Sequence, residues 1–169
     1  SGTGKSVLIK CIVRLLDSNS GKINVLGEEV NSLKKSEMDE LRKKIGFLFQ
    51  SGALYDSMTV RQNLEFPLRR IRKDLSETEI ENKVKEALEN VGLPDAIDKI
   101  PSELSGGMRK RISLARTIIV DPSIILYDEP TTGLHFHDIK KLLASFDALL
   151  EKGHSIIVIE HNLDLIKCA

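Results

Sequence analysis

Five short segments of this 169-residue chain carry side chains whose types and order suit the handling of a phosphate and its metal ion. Ser1-Gly2-Thr3-Gly4-Lys5-Ser6 is the back half of a G-x-x-x-x-G-K-[ST] loop. In such a loop, main-chain N–H groups and a helix N-terminus cradle phosphate oxygens, the lysine neutralises β/γ charge and the last hydroxyl coordinates Mg²⁺. Gly2, Thr3, Gly4, Lys5 and Ser6 are the candidates for those roles. The loop's first glycine would lie just before Ser1, so the chain reads as N-terminally truncated. Gly4-Lys5-Ser6 alone is a weak signal, because the same turn precedes many ordinary helices.

The other four segments follow in order. Phe49-Gln50 closes an apolar run; Leu104-Ser105-Gly106-Gly107 offers a second glycine-rich helix start; Ile124–Tyr127 leads into Asp128-Glu129; and Ile159-Glu160-His161 ends another β-branched stretch. A carboxylate at the end of an apolar strand can hold Mg²⁺ without a flexible loop, which fits Asp128, and its neighbour Glu129 can polarise an attacking water. Each segment has a plainer reading as well. Asp128-Glu129 before Pro130 could be an exposed strand-end turn, Ser105–Gly107 a simple helix cap, and His161 a structural histidine.

Elements must position these groups, and the pattern supplies them. Ser6–Leu16 reads as a helix with Val7, Leu8, Ile9, Ile12, Val13, Leu15 and Leu16 on a broad buried face. Lys22–Leu26 is a short strand turning at Gly27, and Ser36 caps a helix over Glu37–Lys44 with acids early and lysines late. Ile45–Phe49 is a strand. Thr59 or Ser57 starts a helix over Val60–Leu68 that ends or kinks at Pro67. Ser76-Glu77-Thr78-Glu79 resembles a capping box for a helix to Asn90, stopped by Gly92 and Pro94. Ser105 opens a helix to about Val120, Ser123–Tyr127 is a buried strand, Ile139–Glu151 a helix stopped at Gly153, and Ser155–Ile159 a strand. Strands alternating with helices predict a parallel α/β sheet, whose ligands gather at the carboxyl ends of the strands, where Gln50, Asp128, Glu129 and His161 fall.

Bulk properties bound the rest. A composition 41% hydrophobic and 30% charged fits one globular domain with a core. Zero formal net charge gives no global pull toward nucleic acid or an anionic membrane. The run Arg69-Arg70-Ile71-Arg72-Lys73 reads as a solvated helix end. Two cysteines, Cys11 and Cys168, form no metal or disulfide pattern, which favours a reducing compartment. No apolar run approaches the roughly 20 residues that cross a bilayer, so membrane association would come through a partner.

Taken together, the five segments resemble, over the whole chain, an ABC-type ATPase: Walker A remnant, Q-loop, signature motif, Walker B and switch histidine in sequence. The resemblance implies a P-loop NTPase fold with a parallel-sheet core and a helical subdomain over about residues 51–118. It implies ATP and Mg²⁺ as ligands and a second such domain, supplied by a homodimer, paired head to tail. By that resemblance Lys5 and Ser6 bind phosphate and Mg²⁺, Gln50 touches the metal, and Ser105, Gly106 and Gly107 reach the γ-phosphate across the dimer. Asp128 holds the metal, Glu129 is the catalytic base and His161 stabilises the γ-phosphate.

The resemblance narrows in two directions. Residues 1–134, through Gly46–Val60, Asn63–Leu68 and Leu104–Met108, are similar to the ATPase subunits of Mla-type phospholipid importers, the organic-solvent-resistance group. That implies a permease docked through Gln50–Leu68 and a place on the cytoplasmic face of the inner membrane. Residues 133–169, through Gly133–Leu143 and Val158–Lys167, resemble the last ATPase segment of UvrA-type excision-repair proteins, with DNA as the alternative partner. His135 stands where a transporter subunit carries the aspartate that couples its two sites. Asp128–Leu134 is common to both relatives, which predicts a recombination or assembly junction there. Lys5 and Ser105 lie about 100 residues apart, a transporter spacing, and Cys-x-x-Cys is absent. A third alternative is an inactive truncated ATPase.

Overall fold

The computed structural model describes residues 4–48 and 52–167, so Gly2, Thr3 and Gln50 lie outside the described residues. The chain forms seven helices and five strands among those residues. They are α1 (Lys5–Ile12), β1 (Asn24–Val25), β2 (Glu28–Glu29), α2 (Lys35–Lys43), β3 (Ile45–Leu48), α3 (Val60–Ile71), α4 (Glu77–Asn90), α5 (Gly106–Ile118), β4 (Ile124–Asp128), α6 (Phe136–Glu151), β5 (Ser155–Ile159) and α7 (Leu163–Ile166).

The expected parallel sheet is present, in the order β3-β4-β5. Ile45 pairs with Ile124 and Leu48 with Tyr127, while Ile124 pairs with Ser155 and Asp128 with Ile159. Crossover helices α3–α5 and α6 make the parallel pairing possible. The central strand β4 is covered on both faces, as a parallel strand requires. Leu126 points into a cluster with Ile9, Val13, Met38 and Leu41 from α1 and α2. Ile125 and Tyr127 point the other way, toward Ile112, Leu114, Leu142 and Phe146 from α5 and α6. Burial raises the Tyr127 hydroxyl above its ordinary pKa.

Several boundaries differ from the sequence expectation. Helix α1 stops at Ile12, and Arg14 turns to φ 52°, so the long apolar face does not form. Ile9 and Val13 are buried, but Val7 and Leu8 are 51% and 58% exposed, and Leu15 and Leu16 are exposed too. The strand expected over Lys22–Leu26 shrinks to β1, because Leu26 and Gly27 both take positive φ and fold the chain back onto β2. A two-residue turn of that hand matches the twist of a hairpin.

Helix α2 begins two residues before Glu37, because the Glu37 carboxylate reaches back to the Lys34 N–H at 2.7 Å and Ser36 lies inside. Helix α3 runs through Pro67 to Ile71, held by fully buried Leu64 and Leu68 on either side of the proline. Helix α6 starts three residues before Ile139, and α7 is an element the sequence pattern did not suggest. The caps at Thr59 and Ser76 form as read, each with the reciprocal bond from Gln62 or Glu79. The basic run is a neutralised helix end, with Arg69 paired to Glu65 and Glu77 and Arg72 to Asp74. Among the described residues no helix is long and apolar enough to cross a membrane.

Candidate functional site

The start of α1 and the end of β4 meet. Ser6 Oγ donates to Asp128 Oδ1 at 2.9 Å, a contact joining residues 122 positions apart. The sheet fixes Asp128 through its register with Ile159, and Ile9 and Leu126 in one cluster clamp α1 against the same strand. Gly4 caps α1 at φ 77°, and exposed Lys5 is the first helical residue. The unpaired N–H groups of the first turn and the positive end of the helix dipole therefore sit beside a hydroxyl and a carboxylate. That donor set suits Mg²⁺, a hard cation that takes oxygen ligands at about 2.0–2.1 Å in octahedral geometry; two ligands at right angles in such a shell stand about 2.9 Å apart. No group of three or more His, Cys, Asp or Glu converges among the described residues, so a bound ion would complete its shell with phosphate oxygens and water.

One residue further, the chain enters a tight turn. Glu129 takes φ 48° while its N–H still continues the sheet to the Ile159 carbonyl at 2.9 Å. Its Oε2 accepts from Thr132 Oγ1 at 3.2 Å. From α5, Lys110 Nζ donates to the Pro130 and Thr132 carbonyls at 2.7 and 2.6 Å. Burial holds the Lys110 ammonium below its usual pKa, against the opposing pull of Glu160 and Glu129.

From beyond β5, the Glu160 carboxylate accepts from Thr131 N and Oγ1 and from the N–H groups of His161 and Asn162. Burial raises the pKa of Glu160, but these hydrogen bonds outweigh it and leave the carboxyl below the ordinary range. The His161 ring is 72% exposed, with Nδ1 3.5 Å from Glu160 Oε1.

The structure thus gathers Lys5, Ser6, Asp128, Glu129 and His161 around the carboxyl ends of β4 and β5. Ser105, Gly106 and Gly107 open α5. Ser105 caps α5 by accepting from Met108 N at 3.2 Å, and Gly107 is buried against α6. A Cβ on Gly107 would meet the Asp138 carboxyl, so only glycine allows the α5 N-terminus this close to α6. Lys110, Thr131, Asp138 and Glu160 were not singled out from the sequence. Lys110 binds anonymous main-chain carbonyls, which no motif encodes. The one available hint for Glu160 was a charge directly following a β-branched strand.

Comparison with known proteins agrees with this geometry. Residues 1–132 match the family described as ABC transporter. The chain is 40% identical to a probable ribonucleotide transport ATP-binding protein, mkl, of Mycobacterium leprae, covering 99% of this chain and 48% of that protein. It is 36% identical to the glutamine transport ATP-binding protein GlnQ of Bacillus subtilis, covering 99% of this chain and 68% of that one. Among solved structures, it superposes on the ATP-binding cassette MJ0796, a dimer in a post-hydrolysis state bound to ADP and Pi, with TM-score 0.88 and 30% identity over 99% of this chain and 74% of that chain. It also superposes on cbiO1 of Clostridium perfringens, part of the transporter complex cbiONQ, with TM-score 0.86 and 27% identity over 98% and 66% of the two chains. The chain spans about half the length of the mycobacterial relatives it matches.

Proposed function

This chain belongs to the ABC transporter family, and from that premise we propose that it binds ATP with Mg²⁺, pairs with a second cassette and hydrolyses the nucleotide to drive a membrane transporter. The observation that carries the reading is the Ser6–Asp128 contact with Glu129 next in the chain. Lys5 and the first-turn N–H groups of α1, with Gly2, Thr3 and Gly4 before them, take the phosphates. Ser6, Asp128 and Gln50 take the metal, which when bound neutralises charge on the β- and γ-phosphates. Glu129 accepts the proton of the attacking water, and His161 stabilises the γ-phosphate.

By the family resemblance, Ser105, Gly106 and Gly107 serve the nucleotide of a partner copy. The likeness to a dimeric cassette supports this pairing. Such phosphoryl transfer rests on positioning and charge stabilisation more than on covalent chemistry.

The permease docks through residues 50–68, beside the groove lined by Phe47, Tyr55, Pro67 and Arg116. There the Arg116 guanidinium lies 4.7 Å over the Tyr55 ring, which meets Phe66 edge-on, giving the surface a fixed shape. Docking places the chain on the cytoplasmic face of the inner membrane. The relatives are named for ribonucleotide, glutamine and methionine transport. The narrower phospholipid cargo is supported by the importer-like wording of residues 46–68 and 104–108. Transport relatives match 99% of the chain, including its last segment, so the DNA-repair alternative is not favoured.

The test is Glu129→Gln in the full-length protein. Nucleotide affinity should stay within about twofold while turnover falls at least a hundredfold; undiminished hydrolysis would sink the proposal.

A further inference from the structure

The turn bearing Glu129 departs from ordinary backbone geometry and is gripped from two sides, by groups that none of the roles above employs. A non-glycine residue at positive φ persists only where its surroundings over-determine it. Here Lys110 holds the Pro130 and Thr132 carbonyls from one side. Glu160 holds the intervening Thr131 from the other: its Oε2 accepts from Thr131 N at 3.0 Å and Thr131 Oγ1 at 2.6 Å. Its Oε1 accepts from His161 N at 2.9 Å and Asn162 N at 3.2 Å. The side chain is 2% exposed, so water does not substitute for these donors.

An ionised carboxylate is acceptor-only and has room for about four donors, which matches this arrangement. A glutamine cannot reproduce it. Whichever way its amide turns, an NH₂ faces at least one main-chain N–H donor.

We propose that Glu160 is a positioning residue that ties the Glu129 turn and the His161 backbone into one unit, so that base and histidine are presented to the γ-phosphate in a fixed relation. The inference rests on the ATPase reading of Glu129 and His161. Glu160 itself does not touch nucleotide. It acts through Thr131, two residues from Glu129, and through the main chain of His161. Lys5, Ser6 and Asp128 are not bonded to it, so binding and turnover should separate.

The experiment compares steady-state hydrolysis and equilibrium ATP binding of the full-length protein, assembled with its transport partners, in the wild type, Glu160→Gln, Thr131→Val and Glu129→Gln. Glu160→Gln should lower kcat at least tenfold with KM and ATP affinity within twofold. Thr131→Val should lower kcat severalfold, and the Glu160→Gln/Thr131→Val double variant should be no worse than Glu160→Gln alone, because both substitutions weaken the same Glu160–Thr131 link. A purely structural role would lower affinity and turnover together. The inference is overturned if Glu160→Gln turns over within twofold of wild type, or if its affinity falls in step with kcat. If Glu160→Gln fails to fold, Thr131→Val, which removes one hydroxyl, decides by the same kcat-against-affinity comparison. Full turnover by Glu129→Gln would remove the ATPase reading itself, whereas an inert Glu129→Gln beside a fully active Glu160→Gln would remove the positioning role alone.

Discussion

A carboxylate withdrawn from water keeps its charge when enough donors replace the lost hydration, and Glu160 receives them from Thr131, His161 and Asn162. Burial works against the charged form, yet the net pKa is depressed. A group with a folded-state pKa below its unfolded value adds stability that is complete above the unfolded value. That stability is lost as pH falls through the folded one. Wild type should therefore exceed Glu160→Gln by about 1–3 kcal/mol near neutral pH, the scale of hydrogen bonds to a charged group. The gap should close as pH drops below the ordinary glutamate value of about 4.3. Denaturant melts of both proteins at several pH values would show it, and a pH-independent gap would contradict it. Ser6 and Asp128 were readable beforehand because few chemistries call for that hydroxyl and that strand-end carboxylate. Glu160 and Lys110 were not, because their partners are main-chain atoms with no sequence signature.

The N-terminus of α6 shows what a missing cap leaves undone. His135 occupies the N-cap position at φ −77° and ψ 156° and makes no side-chain cap bond. Ser105, Thr59 and Ser76 at comparable positions all accept from the helix. Asp at this position would accept a first-turn N–H and face the positive end of the dipole, and such caps contribute about 0.5–2 kcal/mol. His135→Asp should therefore raise the denaturant midpoint without changing the slope of the transition; an unchanged midpoint would show that the first turn is already satisfied. The same comparison explains which boundaries were legible. Helices opened by Ser or Thr had their starts placed to within a residue. Helices α2 and α6 were started late, because the true caps, Lys34 and His135, are not residues that announce a helix. The apolar face expected for residues 6–16 failed for a backbone reason, the φ 52° of Arg14, which composition does not display.

The fold is continuous across Gly133. Asp128, before that point, pairs with Ile159 after it, and Tyr127 stacks edge-on with Phe146 of α6 at 6.0 Å. The last segment supplies β5, the partner of the strand that carries Asp128. Both cores press on β4, which holds Leu126 against α1 and α2 and Ile125 and Tyr127 against α5 and α6. A defect in this strand should thus be felt at the phosphate loop as well as in the helical part. Leu126 is 1% exposed, and Leu126→Ala removes three buried carbons from a close-packed site, a change that costs about 2–5 kcal/mol. If the two clusters unfold as one, the variant should melt in a single transition, with fluorescence and circular dichroism coincident and ATP affinity lost in the same step. Two separated transitions, with ATP binding lost in the first and α3–α5 persisting to the second, would show that the sheet does not weld the halves together. The distinction bears on the proposed transport role, in which the state of Asp128 and Glu129 would have to reach helices α3–α5. A single cooperative unit built around β4 supplies that rigid connection.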